Sequence, residues 1–294
     1  MSKKTIKNIF YFISLIFLSN FCYGRENTTW PPHYDALRSL YENLDGINWQ
    51  RKWDYSNSTS DPCLDRWPGI IGCLNVKYNS IGYNVITMID LAANGLNGLL
   101  PNGFFANLST YPSLGYFDIA KNNVGGPFPN LVKFSSLKYF DILDNMFTGT
   151  MPDLIGIKNT ALVYLNVDKN LLRGTIPASI GNLKNLQYLI LSRNKFNGSI
   201  PDLGNCTNLD QLHLSFNPFS SGQIPQWMSS LNKITVIRLS DTGLTGSIPD
   251  FFGNLKNLTF LALTVNKLTG PISQSLAGSP IYIRGEKMFF IPFN

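Results

Sequence analysis

Apolar residues recur at fixed positions through residues 84–280, in copies of the pattern L-x-x-L-x-L-x-x-N-x-x-x-G-x-I-P. One copy, from Leu186 to Pro201, matches every specified position. Aligned on the polar marker, there are eight copies, with successive spacings of 28, 23, 25, 24, 23, 25 and 24 residues. The markers are Asn94, Asn122, Asn145, Asn170, Asn194, Asn217, Thr242 and Asn266. Spacings of this size are typical of repeat solenoids.

The L-x-L segment of each copy predicts a short strand. Side chains alternate between the two faces of a strand, so its two leucines share one face. Strands from successive copies are expected to stack in parallel, with the leucines filling the interior behind the sheet. The predicted fold is an α/β repeat, a right-handed solenoid with a parallel sheet on its concave side.

The marker Asn is expected to turn inward, because its amide can both donate to and accept from backbone groups of its own and neighbouring copies. Thr242 lacks the amide, so a local weakness is expected there. Cys206 occupies a slot that other copies fill with leucine, three residues before the next strand's first apolar residue. It is therefore predicted to be a buried thiol.

Residues 1–24 have the features of a secretory signal peptide. Three lysines precede a short apolar run, and a small residue, Gly24, follows it. A retained signal anchor is the alternative. Cleavage would lower the net charge from +6 to +3, since Lys3, Lys4 and Lys7 leave and no acid does. That charge is too weak to argue for nucleic acid, and no second apolar stretch reaches the length of a spanning helix.

Cysteines and sequons agree with an extracellular compartment. Cys63 and Cys73 lie ten residues apart in a loop-like stretch and are predicted to form a local disulfide. A zinc site would need more ligands than this neighbourhood offers. The chain also has six N-x-S/T sequons, predicted to carry glycan: Asn27, Asn57, Asn107, Asn197, Asn205 and Asn257.

The L-x-G-x-I-P tail of the copies resembles the plant-type extracellular leucine-rich repeat family. Residues 25–83 resemble that family's N-terminal cap, with a helical A-L-x-x-L segment at residues 36–40, then P-C at 62–63 and W-x-G-I at 67–70. Trp49, Trp53 and Trp67 are interpreted as packing within this cap. The resemblance implies a leucine-rich repeat solenoid with a disulfide-bearing cap, and a recognition function like that of receptor ectodomains or secreted glycosidase inhibitors.

The C-terminus departs from the family, because no second cysteine-bearing cap is present. Residues 281–294 are predicted to be either an edge strand or a partial ninth repeat, with Phe289-x-Ile291 in the strand register. An unfinished repeat would leave apolar side chains near an open edge, which favours association.

The concave sheet is expected to expose the residues between the leucines, including an aromatic stripe beside a row of aspartates. Tyrosine is enriched in binding hot spots, and acidic neighbours would favour a basic partner. A convex, lateral or edge site is the alternative. The candidate ligand-binding residues are Tyr116, Tyr139, Tyr164, Tyr188, Asp118, Asp141, His213 and Arg238.

Catalysis finds little support in the sequence. Asp141, Asp144 and Asp168 are interpreted as a solvated acidic face, because acid catalysis needs a buried or tightly paired carboxyl. His213 has no Ser or Cys neighbour in register. No cofactor and no metal site is predicted, although the acidic row leaves weak calcium binding open.

The sequence therefore predicts a secreted or extracellular, non-enzymatic module that binds a protein, peptide or polysaccharide. The alternatives are an ectodomain fragment of a membrane receptor kinase, an inhibitor of secreted glycosidases, a structural matrix component, and an enzyme with a deep acidic pocket. The oligomeric state does not follow from the sequence.

Overall fold

A computed structural model describes residues 29, 31–54, 60–78, 81–109, 113–153, 155–158, 160–272, 274–277 and 282–284. The signal peptide, the sequons at Asn27 and Asn57, and the segment Phe289–Ile291 lie outside these residues. In chain order the strands are β1 (Ile70–Tyr78), β2 (Ile81–Asp90), β3 (Asn97–Leu99), β4 (Tyr116–Asp118), β5 (Asn123–Pro127), β6 (Tyr139–Asp141), β7 (Met146–Thr148), β8 (Tyr164–Asn166), β9 (Arg173–Thr175), β10 (Tyr188–Ile190), β11 (Lys195–Asn197), β12 (Gln211–His213), β13 (Gly222–Gln223), β14 (Val236–Arg238), β15 (Leu244–Gly246), β16 (Phe260–Ala262), β17 (Lys267–Leu268) and β18 (Tyr282–Arg284).

Helical segments are short. The α-helices are α1 (Pro31–Asn43), α2 (Phe104–Leu108), α3 (Ile155–Lys158) and α4 (Gln274–Ala277). The 3₁₀ helices are η1 (Gly46–Asn48), η2 (Ala178–Asn182), η3 (Gln226–Ser230) and η4 (Asp250–Asn254). All of them except α1 and η1 lie between one strand of the main sheet and the next, so each copy forms one coil.

The main sheet has ten strands in the order β1-β2-β4-β6-β8-β10-β12-β14-β16-β18. β1 pairs antiparallel with β2, and every later pair is parallel, with equal positions of successive copies opposite each other. This confirms the predicted leucine-rich repeat solenoid. The last described strand is Tyr282–Arg284, which pairs with β16. It begins seven residues before Phe289, the position at which the repeat register of the sequence predicts an edge strand.

Three smaller parallel sheets, β3-β5-β7, β9-β11 and β13-β15-β17, follow the marker positions. The sequence analysis assigned no strands there. Each of their strands has two to five residues and lies within six residues after a marker. Strands this short do not show a period of two in the sequence.

The apolar residues of all copies form one continuous buried cluster that extends into the cap. Phe117, Phe140 and Leu165 are fully buried at the middle position of their strands. Cys206 is fully buried and free, as predicted, and its Sγ lies 3.3 Å from the carbonyl oxygen of Ile180. Burial raises the pKa of this thiol to about 11, so it stays protonated and inert.

Three indoles of the cap pack against one another at the end of this cluster. Trp49, Trp53 and Trp67 are at most 3% exposed, and the centroid distances are 4.9 Å from Trp49 to Trp53 and 5.3 Å from Trp53 to Trp67. Their packing confirms the structural interpretation. The Cys63–Cys73 disulfide is formed, with an S–S distance of 2.04 Å.

His33 ties the cap to the first coils, a role that the sequence did not suggest. Its ring is 1% exposed. Nδ1 accepts from the N–H of Ile86 at 3.1 Å, so Nε2 carries the proton and donates to the carbonyl of Leu108 at 3.0 Å. The helix α1 is thereby fixed against the start of the sheet.

Candidate functional site

The parallel register sorts the concave-face residues into columns that run across the strands. From β4 to β16, the first residue of each strand forms column one and the third residue forms column three; Met88 and Asp90 of β2 lie opposite Tyr116 and Asp118 in the same columns. Column one is Met88, Tyr116, Tyr139, Tyr164, Tyr188, Gln211, Val236 and Phe260, and column three is Asp90, Asp118, Asp141, Asn166, Ile190, His213, Arg238 and Ala262. All eight predicted ligand-binding residues lie in these two columns.

The four tyrosines are packed against one another. The ring centroids are 4.2 Å apart for Tyr116 and Tyr139 and 4.3 Å apart for Tyr139 and Tyr164, and both pairs are stacked within 9° of parallel. Tyr188 continues the row at 5.6 Å from Tyr164 with a tilt of 41°. None of the four is more than 4% exposed. The expectation that this column stands exposed is wrong, because flat rings at equal positions of parallel strands stack and cover each other's faces.

Asp118 and Asp141 of column three accept hydrogen bonds from the tyrosine hydroxyls and from the local backbone. The hydroxyls of Tyr139 and Tyr164 donate to Oδ2 of Asp141, at 3.2 and 3.4 Å. The other oxygen of Asp141 accepts from the N–H of Leu143 at 2.9 Å, and Asp118 bonds Tyr116 and Ala120 in the same way. Asp118 and Asp141 are fully buried and Asp168 is 6% exposed, whereas the side chain of Asp144 is 48% exposed and pairs with Lys169. The expectation that Asp141, Asp144 and Asp168 form a solvated face is therefore wrong except at Asp144.

The tyrosine hydroxyls stay protonated in this layer. Burial first, and then the neighbouring carboxylates, hold the pKa of Tyr116, Tyr139 and Tyr164 well above the usual value. Each hydroxyl is therefore available as a donor at any physiological pH. The stripe is a neutral aromatic layer with hydrogen-bonded carboxylates along one edge.

The C-terminal half of the concave face is more open and carries the opposite charge. Gln211, His213 and Phe260 are half-buried, and Arg238 is exposed. The guanidinium carbon of Arg238 lies 4.6 Å from the ring centroid of Phe260. Burial, followed by the charges of Arg238 and Arg193, lowers the pKa of His213 to about 4.

Residues just before each marker form a row that the sequence analysis missed. The backbone there is left-handed in all eight copies, with φ between 48° and 60°. The residues are Ala93, Lys121, Asp144, Lys169, Arg193, Phe216, Asp241 and Val265. None of these residues is glycine, so their residue types do not indicate a left-handed backbone. The only signal in the sequence is that all of them directly precede a marker. Arg193 is held in this row by two hydrogen bonds to Asp168, at 3.0 and 2.6 Å.

The four described sequons lie off the concave columns. Asn197 is exposed at the end of β11, in one of the smaller sheets, and Asn205 and Asn257 are exposed in the segments before β12 and β16. Asn107 is half-buried in α2. Glycan at these positions would leave the concave face uncovered.

In the part of the chain that the structure describes, three or more His, Cys, Asp or Glu side chains nowhere gather in an arrangement able to hold a metal ion. Over the same residues, no helix has both the length and the apolar character needed to cross a membrane.

The shifted pKa of His213 predicts an acid-sensitive stability. An unfolded histidine titrates near 6.5, and the folded value is about 4. The folded state therefore binds the proton less well, so this contribution is complete above pH 6.5 and is lost as the pH falls to 4. After allowance for partial exposure, the loss is about 1–2 kcal/mol. Between pH 7 and pH 4, the melting temperature of His213→Gln should fall about 2–6 °C less than that of the parent. Gln211→Ala, which removes no titrating group, should follow the parent, and parallel curves for all three proteins would contradict the assignment.

Stacked coils with an inward asparagine at nearly every marker define a leucine-rich repeat solenoid. The family described as Leucine rich repeat matches residues 160–219, and a second family of that description matches residues 208–231 and 233–255. The Arabidopsis thaliana protein named Receptor-like protein 13 is 39% identical over 67 residues, which are 22% of this chain and 6% of that protein.

Among solved structures, the Arabidopsis receptor kinase HAESA, in complex with the peptide hormone IDA and the co-receptor SERK1, is 27% identical, with a TM-score of 0.71 over 87% of this chain and 41% of that chain. The plant peptide hormone receptor RGFR1, in complex with RGF2, is 31% identical, with a TM-score of 0.59 over 65% of this chain and 31% of that one. The chain spans less than half the length of each of these three proteins. The fold is that of a leucine-rich repeat solenoid, and the chain is similar to plant extracellular leucine-rich repeat proteins.

Proposed function

We propose that the chain is a secreted or extracellular, non-catalytic module that binds a peptide or protein ligand on its concave face. The observation that carries this proposal is the similarity, over 87% of the chain, to a receptor solved with a peptide hormone. The positions of the sequons agree with it, because Asn197, Asn205 and Asn257 lie off the concave columns.

The geometry supports binding by surface contact. The stacked tyrosines form a rigid floor whose side chains lose little further freedom when a ligand binds, which lowers the entropic cost of association. The exposed Arg238 and the half-buried His213 offer polar contacts beside it. The proposed site keeps all eight residues in two roles. His213 and Arg238 contact the ligand. The buried Tyr116, Tyr139, Tyr164, Tyr188, Asp118 and Asp141 form the rigid layer that adjoins them.

A glycan placed on the concave face tests this proposal. Phe260→Asn with Ala262→Thr creates an N-x-T sequon on β16, and expression in a glycosylating host should attach a glycan there. Because the glycan would occupy the face, peptides selected from a displayed library on the parent protein should no longer bind. Phe260→Gln with Ala262→Thr makes nearly the same change without a sequon and should retain most of the binding. Full binding by the glycosylated variant would exclude the concave face.

We also propose, as an alternative, that the chain is an ectodomain fragment of a membrane receptor kinase. It is favoured by the names of the relatives, which include a probable leucine-rich repeat receptor-like serine/threonine-protein kinase. Sequencing the transcript beyond Asn294 tests it, since an in-frame spanning helix and kinase would make the chain part of a receptor. Inhibition of secreted pectin hydrolases by the purified chain would instead favour the glycosidase-inhibitor alternative.

A further inference from the structure

Two buried polar atoms on the concave face lack a partner. Within the described residues, the buried side-chain atoms without a hydrogen bond are Oγ of Ser192 and Nε2 of His213. Ser192 lies just after β10, and His213 is the last residue of β12. These two strands belong to neighbouring copies and pair in register. Buried polar groups are normally bonded, and an exception requires an explanation.

The next copies show that an equivalent serine can be satisfied within the fold. Oγ of Ser215 accepts from the N–H of Ser240 at 2.9 Å, and Oγ of Ser240 accepts from the hydroxyl of Thr264 at 2.8 Å. Ser192, 6% exposed, occupies the same column and has no such bond. Its hydroxyl therefore has hydrogen-bonding capacity that the described residues do not use.

Besides burial, the charges of two arginines, Arg238 and Arg193, lower the pKa of His213. Arg193 follows Ser192 directly, and Arg238 lies opposite His213 in the register of β12 and β14. Of the nearby carboxylates, Asp168 forms an ion pair with Arg193 through two bonds, and Asp210 accepts from Thr235 Oγ1 at 2.6 Å and keeps its charge. One further acid, Asp241, lies in the left-handed row. The arrangement favours an anionic group, because bonds from arginine to carboxylate are charge-assisted.

An exposed aromatic residue lies beside these groups. Phe216 is 48% exposed and has a φ of 60°. The corresponding positions of the preceding copies hold Lys121, Asp144, Lys169 and Arg193. The left-handed backbone is common to all eight copies, and Val265 of the same row is also apolar and 62% exposed. What distinguishes Phe216 is an exposed aromatic ring in the copy that follows Arg193, and such rings are frequent in binding surfaces.

We propose that Ser192, Arg193, His213 and Arg238 bind an acidic side chain of the ligand, and that Phe216 contacts an apolar side chain next to it. We call these five residues the basic patch. The proposal rests on the function proposed above and narrows it to peptides with an internal Asp or Glu. The tyrosine half of the face is unsuited to such a group, because Asp118 and Asp141 would repel it.

The exposed ring of Phe216 favours a peptide over an acidic polysaccharide, since a chain of uronic acids has carboxylates but no apolar side chains. Selection from a displayed library of peptides with blocked C-termini tests the proposal, because the only carboxylates are then internal ones. The parent protein should select peptides rich in Asp or Glu. Affinity for a selected peptide should fall about tenfold or more in Arg193→Gln with Arg238→Gln, as expected from the loss of charged hydrogen bonds.

The matched control is Lys121→Gln with Lys169→Gln. It removes the same charge from the left-handed row and also breaks one ion pair, between Lys169 and Asp144 at 3.3 Å. It should change the affinity less than about threefold, as exposed pairs contribute little. Circular dichroism and thermal melting of each variant keep a loss of folding distinct from a loss of binding.

Three results of this experiment would contradict the proposal. Selected peptides without acidic preference, an unchanged affinity in the arginine variant, or an equal loss in the lysine control would overturn the basic patch and leave the concave-face function standing. If polygalacturonate displaces the peptide at a concentration lower than that of the peptide, the patch would be assigned to a polysaccharide instead. If the parent selects no peptide at all, the proposed peptide-binding function fails, and this inference fails with it.

Discussion

Replacing Asn194 with Ala should destabilise the protein by about 3–4 kcal/mol, because it removes four hydrogen bonds inside the core at once. Nδ2 of Asn194 donates to the carbonyls of Val167, Leu191 and Ser192, at 2.9, 3.2 and 3.1 Å. Oδ1 accepts from the N–H of Leu172 at 3.0 Å. Two of these partners belong to the preceding coil, so the substitution also weakens the contact between coils.

The free energy of unfolding, measured by urea denaturation, checks this prediction. Asn185→Ala is the control: it removes one bond, to the carbonyl of Thr160 at 3.0 Å, at an exposed position, and should cost less than about 1 kcal/mol. Equal losses for the two variants would show that the inward asparagine ladder does not stabilise the stack.

Thr242 shows how the fold accommodates the one marker without an amide. Its hydroxyl donates within its own coil, to the carbonyl of Leu239 at 2.7 Å, and its backbone N–H donates to Oδ1 of Asn266 at 3.1 Å. The preceding copy has one extra residue between Asn217 and Gly222, and there the N–H of Phe219 bonds the carbonyl of Asn217 at 2.9 Å. The donor that a marker asparagine would accept from is thus already paired, and the two departures from the pattern compensate each other.

The sequence predicted the features that depend on a repeated apolar pattern. Each strand of the main sheet from β2 to β16, the inward markers, the buried Cys206 and the packed indoles of the cap follow from which positions must avoid water. These features survive changes of individual side chains, since every copy repeats the same division between inside and outside.

The concave face could be placed but not described from the sequence. Its columns follow from the register, yet the stacking of Tyr139 and Tyr164 depends on ring orientation, which a pattern of apolar and polar residues does not specify. Of the basic patch, His213 and Arg238 were predicted as candidate ligand-binding residues, whereas Ser192, Arg193 and Phe216 were missed. Arg193 and Phe216 lie in the row of left-handed residues before the markers, and no glycine marks that conformation in the sequence.

Close contacts between backbones of successive coils were also invisible in the sequence, and Gly181 lies at one of them. It belongs to η2 and is buried. A Cβ added there would lie 2.5 Å from the backbone oxygen of Asp202 in the next coil. Since the opposing atom is backbone, relief requires the coils to move apart. Gly181→Ala should therefore cost about 2–3 kcal/mol, as overpacking does, and lower the melting temperature by roughly 4–10 °C.

Gly103→Ala provides the comparison for this substitution. A Cβ at Gly103 meets no atom within 4 Å, and its φ of −79° suits any residue. This variant should be neutral or stabilising by up to about 1 kcal/mol, because alanine restricts the unfolded chain. Calorimetry of both variants separates the close contact from the general effect of replacing glycine. If Gly181→Ala melts at the temperature of Gly103→Ala, then the coils are spaced more loosely than this contact requires.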